Sequence, residues 1–123
     1  MKSIYVAFLI SIVFLGCSKN AVTGRKQLSL VSEPELQSLA LQEYKTFLNE
    51  NQVLHNNNAD MVKRVGSKIS SAIKQYYDSK GKTEILNGYN WEFNLIENKE
   101  ANAWCMPGGK VVVYSGLLPI TQN

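Results

Sequence analysis

The sequence predicts an α+β fold in which two N-terminal helices pack on a small antiparallel β-sheet or hairpin. Two segments in the middle of the 123-residue chain carry apolar residues at the spacing of a helix face. The last third instead carries alternating and β-branched segments on either side of the turn sequence Pro107-Gly108-Gly109. A small sheet with apolar strands needs a covering layer, and the two helices would supply part of it.

The chain begins with a predicted secretory signal, residues 1–16. A short basic start precedes an almost uninterrupted apolar run, residues 4–15, which is too short to be assigned as a membrane span. Cys17 follows this leader and indicates a bacterial lipobox, in which the cysteine is lipidated and the chain is cut before it. The alternatives are an ordinary signal peptide with an incidental cysteine and an uncleaved anchor. Because Ser18 and not Asp follows, lipidation predicts an outer-membrane lipoprotein that faces the periplasm.

The first helix is predicted to follow an extended tether, residues 17–31, and to open a domain, or part of one, over residues 32–123. Ser32 and Glu35 have the spacing of a capping box at a helix start. The helix is expected to end within residues 49–51. Its apolar face consists of Leu36, Leu39, Ala40, Tyr44, Phe47 and Leu48.

A second helix is predicted after the turn sequence Asn56-Asn57-Asn58, with Asn58 or Asp60 as its N-cap. A solvated helix face explains its basic residues better than attraction to a membrane surface does. His55, beside the asparagines, is expected to be a solvent-exposed loop residue. The apolar face of this helix consists of Met61, Val62, Val65, Ile69, Ala72, Ile73 and Tyr76.

The strands are expected after a polar loop over residues 78–88. Trp91, Phe93 and Leu95 alternate with polar residues, which predicts a half-buried strand. A second extended segment follows over residues 101–106.

The turn Pro107-Gly108-Gly109 then reverses the chain, and its glycines allow the positive φ that such a turn needs. Residues 111–114 are rich in β-branched residues and form the third predicted strand. Gly116 and Pro119 mark its exit, and residues 121–123 would suit the N-cap of a further helix.

Charge and cysteine content exclude several classes of function. The formal net charge of +3 and the lack of an arginine-rich run argue against nucleic-acid binding. With Cys17 lipidated, Cys105 alone cannot form an internal disulfide. Cys105 lies between two apolar residues and is expected to be a small buried hydrophobe rather than a nucleophile paired with His55.

Two motifs at opposite ends of the mature chain carry a resemblance to a known family. One is the succession Asn102-Ala103, Pro107-Gly108-Gly109 and Gly116-Leu117-Leu118 around a short apolar strand, and the other is the run over residues 20–28. They resemble the Ste-type zinc metalloendopeptidases, family forty-eight of the metallopeptidases. This family includes HtpX-like and BepA-like bacterial proteases, and its bacterial members are often periplasmic lipoproteins. The resemblance covers almost all of the mature chain, as an N-terminal portion of such a protein.

The resemblance implies an incomplete zincin-type domain and zinc as the cofactor of the family. Its chemistry requires H-E-x-x-H on a helix, where two His bind zinc and the Glu is the general base. This chain has one histidine, His55, and no such motif, so neither a catalytic residue nor a zinc ligand is expected in it. If the chain ends at Asn123, an exposed apolar patch or marginal stability is expected.

The resemblance also implies a site. Asn102, Ala103 and Trp104 would lie on an edge strand whose backbone pairs with the substrate as an added strand. A plain hairpin strand is the alternative interpretation. Pro107, Gly108 and Gly109 are assigned as a structural turn.

Two functions stay open at this point. The first is the N-terminal fragment of a membrane-anchored zinc metalloendopeptidase, inactive in this form, whose intact relatives hydrolyse misfolded or unassembled envelope proteins. The second is a complete, non-catalytic periplasmic lipoprotein that binds extended peptides or envelope partners. An H-E-x-x-H downstream of Asn123 would favour the first, and cooperative unfolding without added metal would favour the second.

Overall fold

The computed structural model describes residues 17–20, 22–28 and 30–122, and it divides into two units, Met1–Ser32 and Glu33–Asn123. The predicted signal segment, residues 1–16, lies outside the described residues, as does Asn123. Within the described residues, no helix combines the length and the apolarity that crossing a bilayer would require.

The first unit contains a small hairpin within residues 17–31, the segment whose role as a tether stays a prediction. β1, Cys17–Lys19, pairs antiparallel with β2, Lys26–Leu28. Its turn is stabilised by the Asn20 side chain, whose Oδ1 accepts hydrogen bonds from the backbone N–H groups of Val22 at 3.0 Å and Thr23 at 2.9 Å. Asn side chains commonly close turns in this way.

The second unit begins with the two predicted helices. α1 spans Glu33–Glu50 and ends inside the predicted window. α2 spans Asn57–Ser79, but its N-cap is Asn56 rather than Asn58 or Asp60. The Asn56 side chain accepts from the backbone N–H of Ala59 at 3.0 Å, so the first of the three asparagines caps the helix while the others are already helical.

Three strands form the sheet of this unit: β3, Glu92–Ile96; β4, Ala103–Met106; and β5, Lys110–Tyr114. The predicted hairpin is confirmed, since β4 pairs antiparallel with β5. The expectation of a wholly antiparallel sheet is wrong, because β3 pairs with β5 in parallel and the strand order is β3-β5-β4. The connection over residues 97–102 leads from β3 to β4 and leaves room for one strand between them. The hairpin then returns the chain as β5, which lies between β3 and β4. Parallel neighbours need such a crossover.

The two helices cover opposite faces of the sheet, which confirms the α+β class. Tyr44 of α1 packs in one buried cluster with Ile96 and Val112. Ala59 and Val62 of α2 pack in the other with Leu95. Successive strand residues point to opposite faces. Leu95 and Ile96 are therefore both buried, and the end of β3 is more enclosed than the half-buried strand that was predicted.

The connecting segments differ from the prediction in two places. The expected loop over residues 78–88 contains a 3₁₀ turn, Thr83–Leu86. After β5, a 3₁₀ turn over Ser115–Leu117 leads into the short helix α3, Leu118–Thr121. Thr121 is thus the last residue of a helix and not the N-cap of a further one. Its hydroxyl donates to the Leu118 carbonyl oxygen at 3.3 Å.

Candidate peptide-binding edge

β4 forms a free edge of the sheet. Within residues 17–20, 22–28 and 30–122, no strand pairs with its outer side. The opposite edge, β3, is partly covered, because Leu54 N–H donates to the Leu95 carbonyl at 2.8 Å and Glu97 N–H donates to the Gln52 carbonyl at 2.9 Å. An unpaired strand edge offers a row of backbone donors and acceptors to another chain.

The hydrogen-bond phase of the hairpin decides which backbone groups of β4 face outward. The Asn102 carbonyl accepts from Tyr114 N–H at 3.0 Å, so Asn102 faces β5. Pairing alternates along an antiparallel ladder. Trp104 therefore also faces β5, and the N–H and C=O groups of Ala103 and Cys105 point outward.

The three residues of the predicted site lie together at this edge, but of the three only Ala103 has its backbone N–H and C=O groups pointing outward. Asn102 and Ala103 are exposed, and Trp104 is half-buried. Their role in holding a peptide stays a prediction. Sequence reasoning missed Cys105 as the second residue with outward backbone groups, although strict alternation from Ala103 would have indicated it.

Trp104 fixes the strand to α1. Its ring meets Phe47 edge-on at a centroid distance of 4.9 Å and Tyr44 edge-on at 6.4 Å. Its indole Nε1–H donates to the Tyr114 hydroxyl at 3.4 Å. Edge-to-face aromatic pairs add stabilisation beyond area burial. The side chain that was assigned to the substrate edge is therefore also an anchor of the hairpin.

The turn after β4 is held against β3. Gly108 and Gly109 have φ values of +84° and +82°, and a Cβ on Gly109 would lie 2.9 Å from the Trp91 ring. Asn90 N–H donates to the Gly108 carbonyl and Glu92 N–H to the Gly109 carbonyl, both at 2.9 Å. Pro107, Gly108 and Gly109 thus form a turn in which the two glycines meet both a conformational and a steric requirement.

Lys110 is a buried cation that the sequence did not single out. Only 3% of its surface is exposed. Its Nζ donates to the Asn90 carbonyl at 2.6 Å and to Glu92 Oε1 at 2.5 Å, and it lies 6.0 Å from the centre of the Tyr44 ring. Buried charges persist where they are paired and hydrogen-bonded, as here. The pair ties the first residue of β5 to the first residue of β3.

Tyr44 lies under this pair and is one of the most buried side chains. Burial raises the pKa of its hydroxyl above the ordinary value of 10.0; the hydrogen bond from Asn94 opposes this change and nearby Glu92 adds to it. The Asn94 Nδ2–H donates to the hydroxyl at 2.7 Å. Ionisation of Tyr44 in the folded chain would place an unfavourable negative charge in the buried layer between α1 and the sheet.

We expect the protein to lose stability as the pH rises above about 10, because the unfolded chain then ionises Tyr44 while the folded chain keeps it neutral. Below that pH the hydroxyl is neutral in both states, and the full stability is present. Tyr44→Phe should make the fall in unfolding free energy between about pH 9 and about pH 11 shallower. Urea unfolding at both pH values measures this. An equally steep fall in the variant would contradict the assignment to Tyr44.

Cys105 is exposed, so the prediction of a buried thiol is wrong. The register pairs it with Val111, on the sheet face opposite Trp104 and Met106. α2 covers β3 on that face but leaves β4 open, as the exposure of both Ala103 and Cys105 shows. His55 is exposed and outside the helices, as predicted.

An apolar groove of about 220 Å³ lies on the same face as Cys105. Two of its α2 residues remain open to solvent, Val65 at 46% and Ile69 at 54% exposure. Both side chains belong to an exposed apolar surface in the described part of the chain. The groove is lined by Met61, Val62, Val65, Gly66, Ile69, Phe93, Val111, Val113, Leu117, Leu118 and Thr121.

The described ranges hold no group of three His, Cys, Asp or Glu side chains that could bind a metal ion. The residues present at the β4 edge thus do not form the ligand set that a zinc ion requires. What this edge can do chemically is to bind and orient an extended chain.

Comparison with known proteins finds similarity to metalloendopeptidases from several organisms. No family model matches the chain. It is 27% identical, over 93% of its length, to the mitochondrial metalloendopeptidase OMA1 of Saccharomyces cerevisiae, of which it spans 36%. It is 30% identical, over 79% of its length, to the OMA1 metalloendopeptidase of Bos taurus, of which it spans 18%. A segment covering 29% of the chain is 44% identical to OMA1 of Arabidopsis thaliana.

The chain is therefore similar to metalloendopeptidases along most of its length, and it spans about a third or less of those relatives. This supports the broader part of the expected resemblance, to zinc metallopeptidases. The narrower assignment to HtpX-like and BepA-like bacterial lipoproteins does not follow from these similarities.

Proposed function

We propose that this chain is the peptide-holding N-terminal part of a membrane-anchored zinc metalloendopeptidase. The observation that carries the proposal is the free outer edge of β4, which presents backbone groups of Ala103 and Cys105 beside an open apolar groove. The similarity to metalloendopeptidases supports it.

The residues of this chain would act by binding and orienting the substrate. An extended peptide would add a strand to β4, with its backbone paired to the outward groups of Ala103 and Cys105. Trp104 and the glycine turn hold this edge in place before the peptide arrives, so little ordering entropy is lost on the protein side. Zinc in such enzymes supplies an activated water. Its H-E-x-x-H ligands are not among these 123 residues.

The proposed setting is the bacterial cell envelope, as in the HtpX-like and BepA-like proteases. Cys17 would carry the lipid and anchor the protein at the outer membrane, facing the periplasm. The substrates would be misfolded or unassembled envelope proteins, which expose extended segments able to pair with a strand edge. The apolar leader and the cysteine that follows it support this setting.

A second candidate is a non-catalytic lipoprotein that uses the same edge to bind extended peptides. The unpaired outer side of β4 supports it equally, because binding an extended peptide by strand addition needs no metal. Both candidates share the peptide edge and differ in whether a catalytic helix accompanies it.

The deciding experiment is to sequence the gene through and beyond the codon for Asn123 and to measure the intact mass of the expressed protein. A reading frame that continues into H-E-x-x-H supports the metalloendopeptidase, because two His at that spacing bind zinc from one helix face. A stop codon after Asn123 with a matching mass would overturn the catalytic proposal and leave the peptide-binding lipoprotein.

A further inference from the structure

We propose that the peptide on the β4 edge is selected by an apolar ledge on the α1 side, and that it carries large apolar side chains at every second position. The ledge is formed by Leu36, Leu39, Phe47, Trp104 and Met106. This proposal rests on the proposed function, because it assumes that the β4 edge holds an extended peptide.

Helical spacing places the α1 residues of the ledge on the β4 side. Phe47 is the reference, since it packs edge-on against Trp104 at 4.9 Å and its ring also lies 6.5 Å from that of Tyr114. Glu43, Leu39 and Leu36 precede Phe47 by about one, two and three helical turns. All four side chains therefore lie along one side of α1.

The ledge extends along the whole length of β4. The end of α1 near Gln37 lies at the hairpin turn, because a Cβ on Gly108 would be 3.7 Å from Gln37 Cγ. The Phe47 end lies at Trp104, one residue from the start of β4. Leu36 and Leu39 are 36% and 54% exposed, and Met106 and Trp104 are half-buried. This surface is thus open to a neighbouring strand.

The pairing geometry decides which peptide side chains reach the ledge. Side chains directly opposite each other on paired strands lie on the same face of a sheet. Peptide residues opposite Trp104 and Met106 would therefore point to the α1 side, and the residue between them to the side of Cys105. Glu43 adds one negative charge among the apolar residues of the ledge, so acidic side chains are disfavoured there. Two apolar cross-strand contacts correspond to roughly a tenfold preference over acidic residues.

The exposed Cys105 thiol provides the test, because a strand paired to β4 would shield it from alkylation. The full 123-residue chain is treated with iodoacetamide, and modification is measured at Cys105 by mass spectrometry of its proteolytic fragment. Two blocked peptides are compared as protecting agents, one with alternating Leu and Thr and one with alternating Asp and Thr. We expect the Leu peptide to protect Cys105 at roughly one-tenth the concentration.

The double variant Leu36→Ser, Leu39→Ser should reduce the difference in potency between the two peptides, because it removes the two exposed leucines of the ledge and retains Glu43. Ile120→Ser, at another exposed apolar side chain, should keep the full difference. Leu39→Ser alone serves if the double variant does not fold. Equal protection by both peptides in the unsubstituted protein would overturn the ledge but leave the peptide edge intact. An undiminished difference in the double variant also overturns the ledge. Protection by neither peptide would overturn the proposed function itself.

Discussion

Gly116→Ala should reduce the free energy of unfolding by about 3 kcal/mol, the upper range for forcing an extra methyl group into a packed site. The new Cβ would overlap the carbonyl group of Lys99 and lie 2.6 Å from the carbonyl oxygen of Glu100. These are backbone atoms, so no side-chain rotation can relieve the overlap. Either the 3₁₀ turn after β5 or the connection before β4 must move.

This movement would disturb the proposed site, because the same connection leads into Ala103. Gly116 N–H donates to the Asn98 carbonyl at 2.8 Å, and the Ser115 hydroxyl donates to that carbonyl at 3.0 Å. Asn98 N–H donates in turn to the Ser115 hydroxyl oxygen at 3.1 Å. A shift of Gly116 therefore pulls on the segment that sets the start of β4.

Urea unfolding of the full chain measures the effect of Gly116→Ala, and Gly81→Ala is the matched control. Gly81 has φ +62°, but no atom lies within 4 Å of the position that its new methyl group would occupy. Its substitution should cost only about 1 kcal/mol, the penalty for a left-handed alanine. Equal losses at the two positions would contradict the steric argument and leave only a general cost of replacing glycine.

Local patterns predicted the helices and the hairpin because short-range physics determines them. The apolar spacing in α1 and the turn glycines at 108 and 109 act within a few residues of themselves. The parallel pairing of β3 with β5 has no such local signal. This pairing depends on the position that β4 takes in the sheet after the connection over residues 97–102. That position is determined only when the whole sheet is assembled.

Gly66 illustrates the same limit on sequence reasoning. A glycine in the middle of a helix is locally a cost of up to about 1 kcal/mol. In the structure it is buried, and a Cβ there would overlap the Phe93 ring. Its hydrogen lets α2 approach β3 closely enough to enclose Leu95 on that face. The benefit is tertiary, and no window of sequence around Gly66 contains Phe93.

The exposure of Cys105 and the burial of Lys110 reverse what residue type alone predicts. Thiols are among the most often buried side chains and lysines among the least. Here position in the sheet decides: Lys110 lies in the central strand under α1, and Cys105 lies in the edge strand on the face that α2 leaves open. The candidate site itself followed only from the resemblance. Alternation along the strand groups Ala103 with Cys105, and the hydrogen bond of Asn102 to Tyr114 shows that this pair is the outward one.

Ala103→Pro should weaken peptide binding to the β4 edge by about tenfold or more, the largest functional effect expected of a single substitution here. Proline removes the outward N–H of residue 103 and places a ring where the added strand would lie. It removes no hydrogen bond to β5, because Asn102 and Trp104 supply those. Edge strands tolerate proline for this reason, and the free energy of unfolding should change by less than about 1 kcal/mol.

Ala103→Ser is the matched control, since it retains the N–H and adds a small polar group at an exposed position. Protection of the Cys105 thiol by the alternating Leu-Thr peptide measures binding, and urea unfolding measures stability. The serine variant should bind as the unsubstituted chain does. If the proline variant binds equally well, the peptide does not pair with Ala103. If it binds poorly but is also much less stable, the β4 backbone carries hydrogen bonds that the register assigns elsewhere. Only weak binding with preserved stability agrees with the assigned register. In that register the inner backbone groups of β4 are hydrogen-bonded to β5, and its outer backbone groups are unpaired.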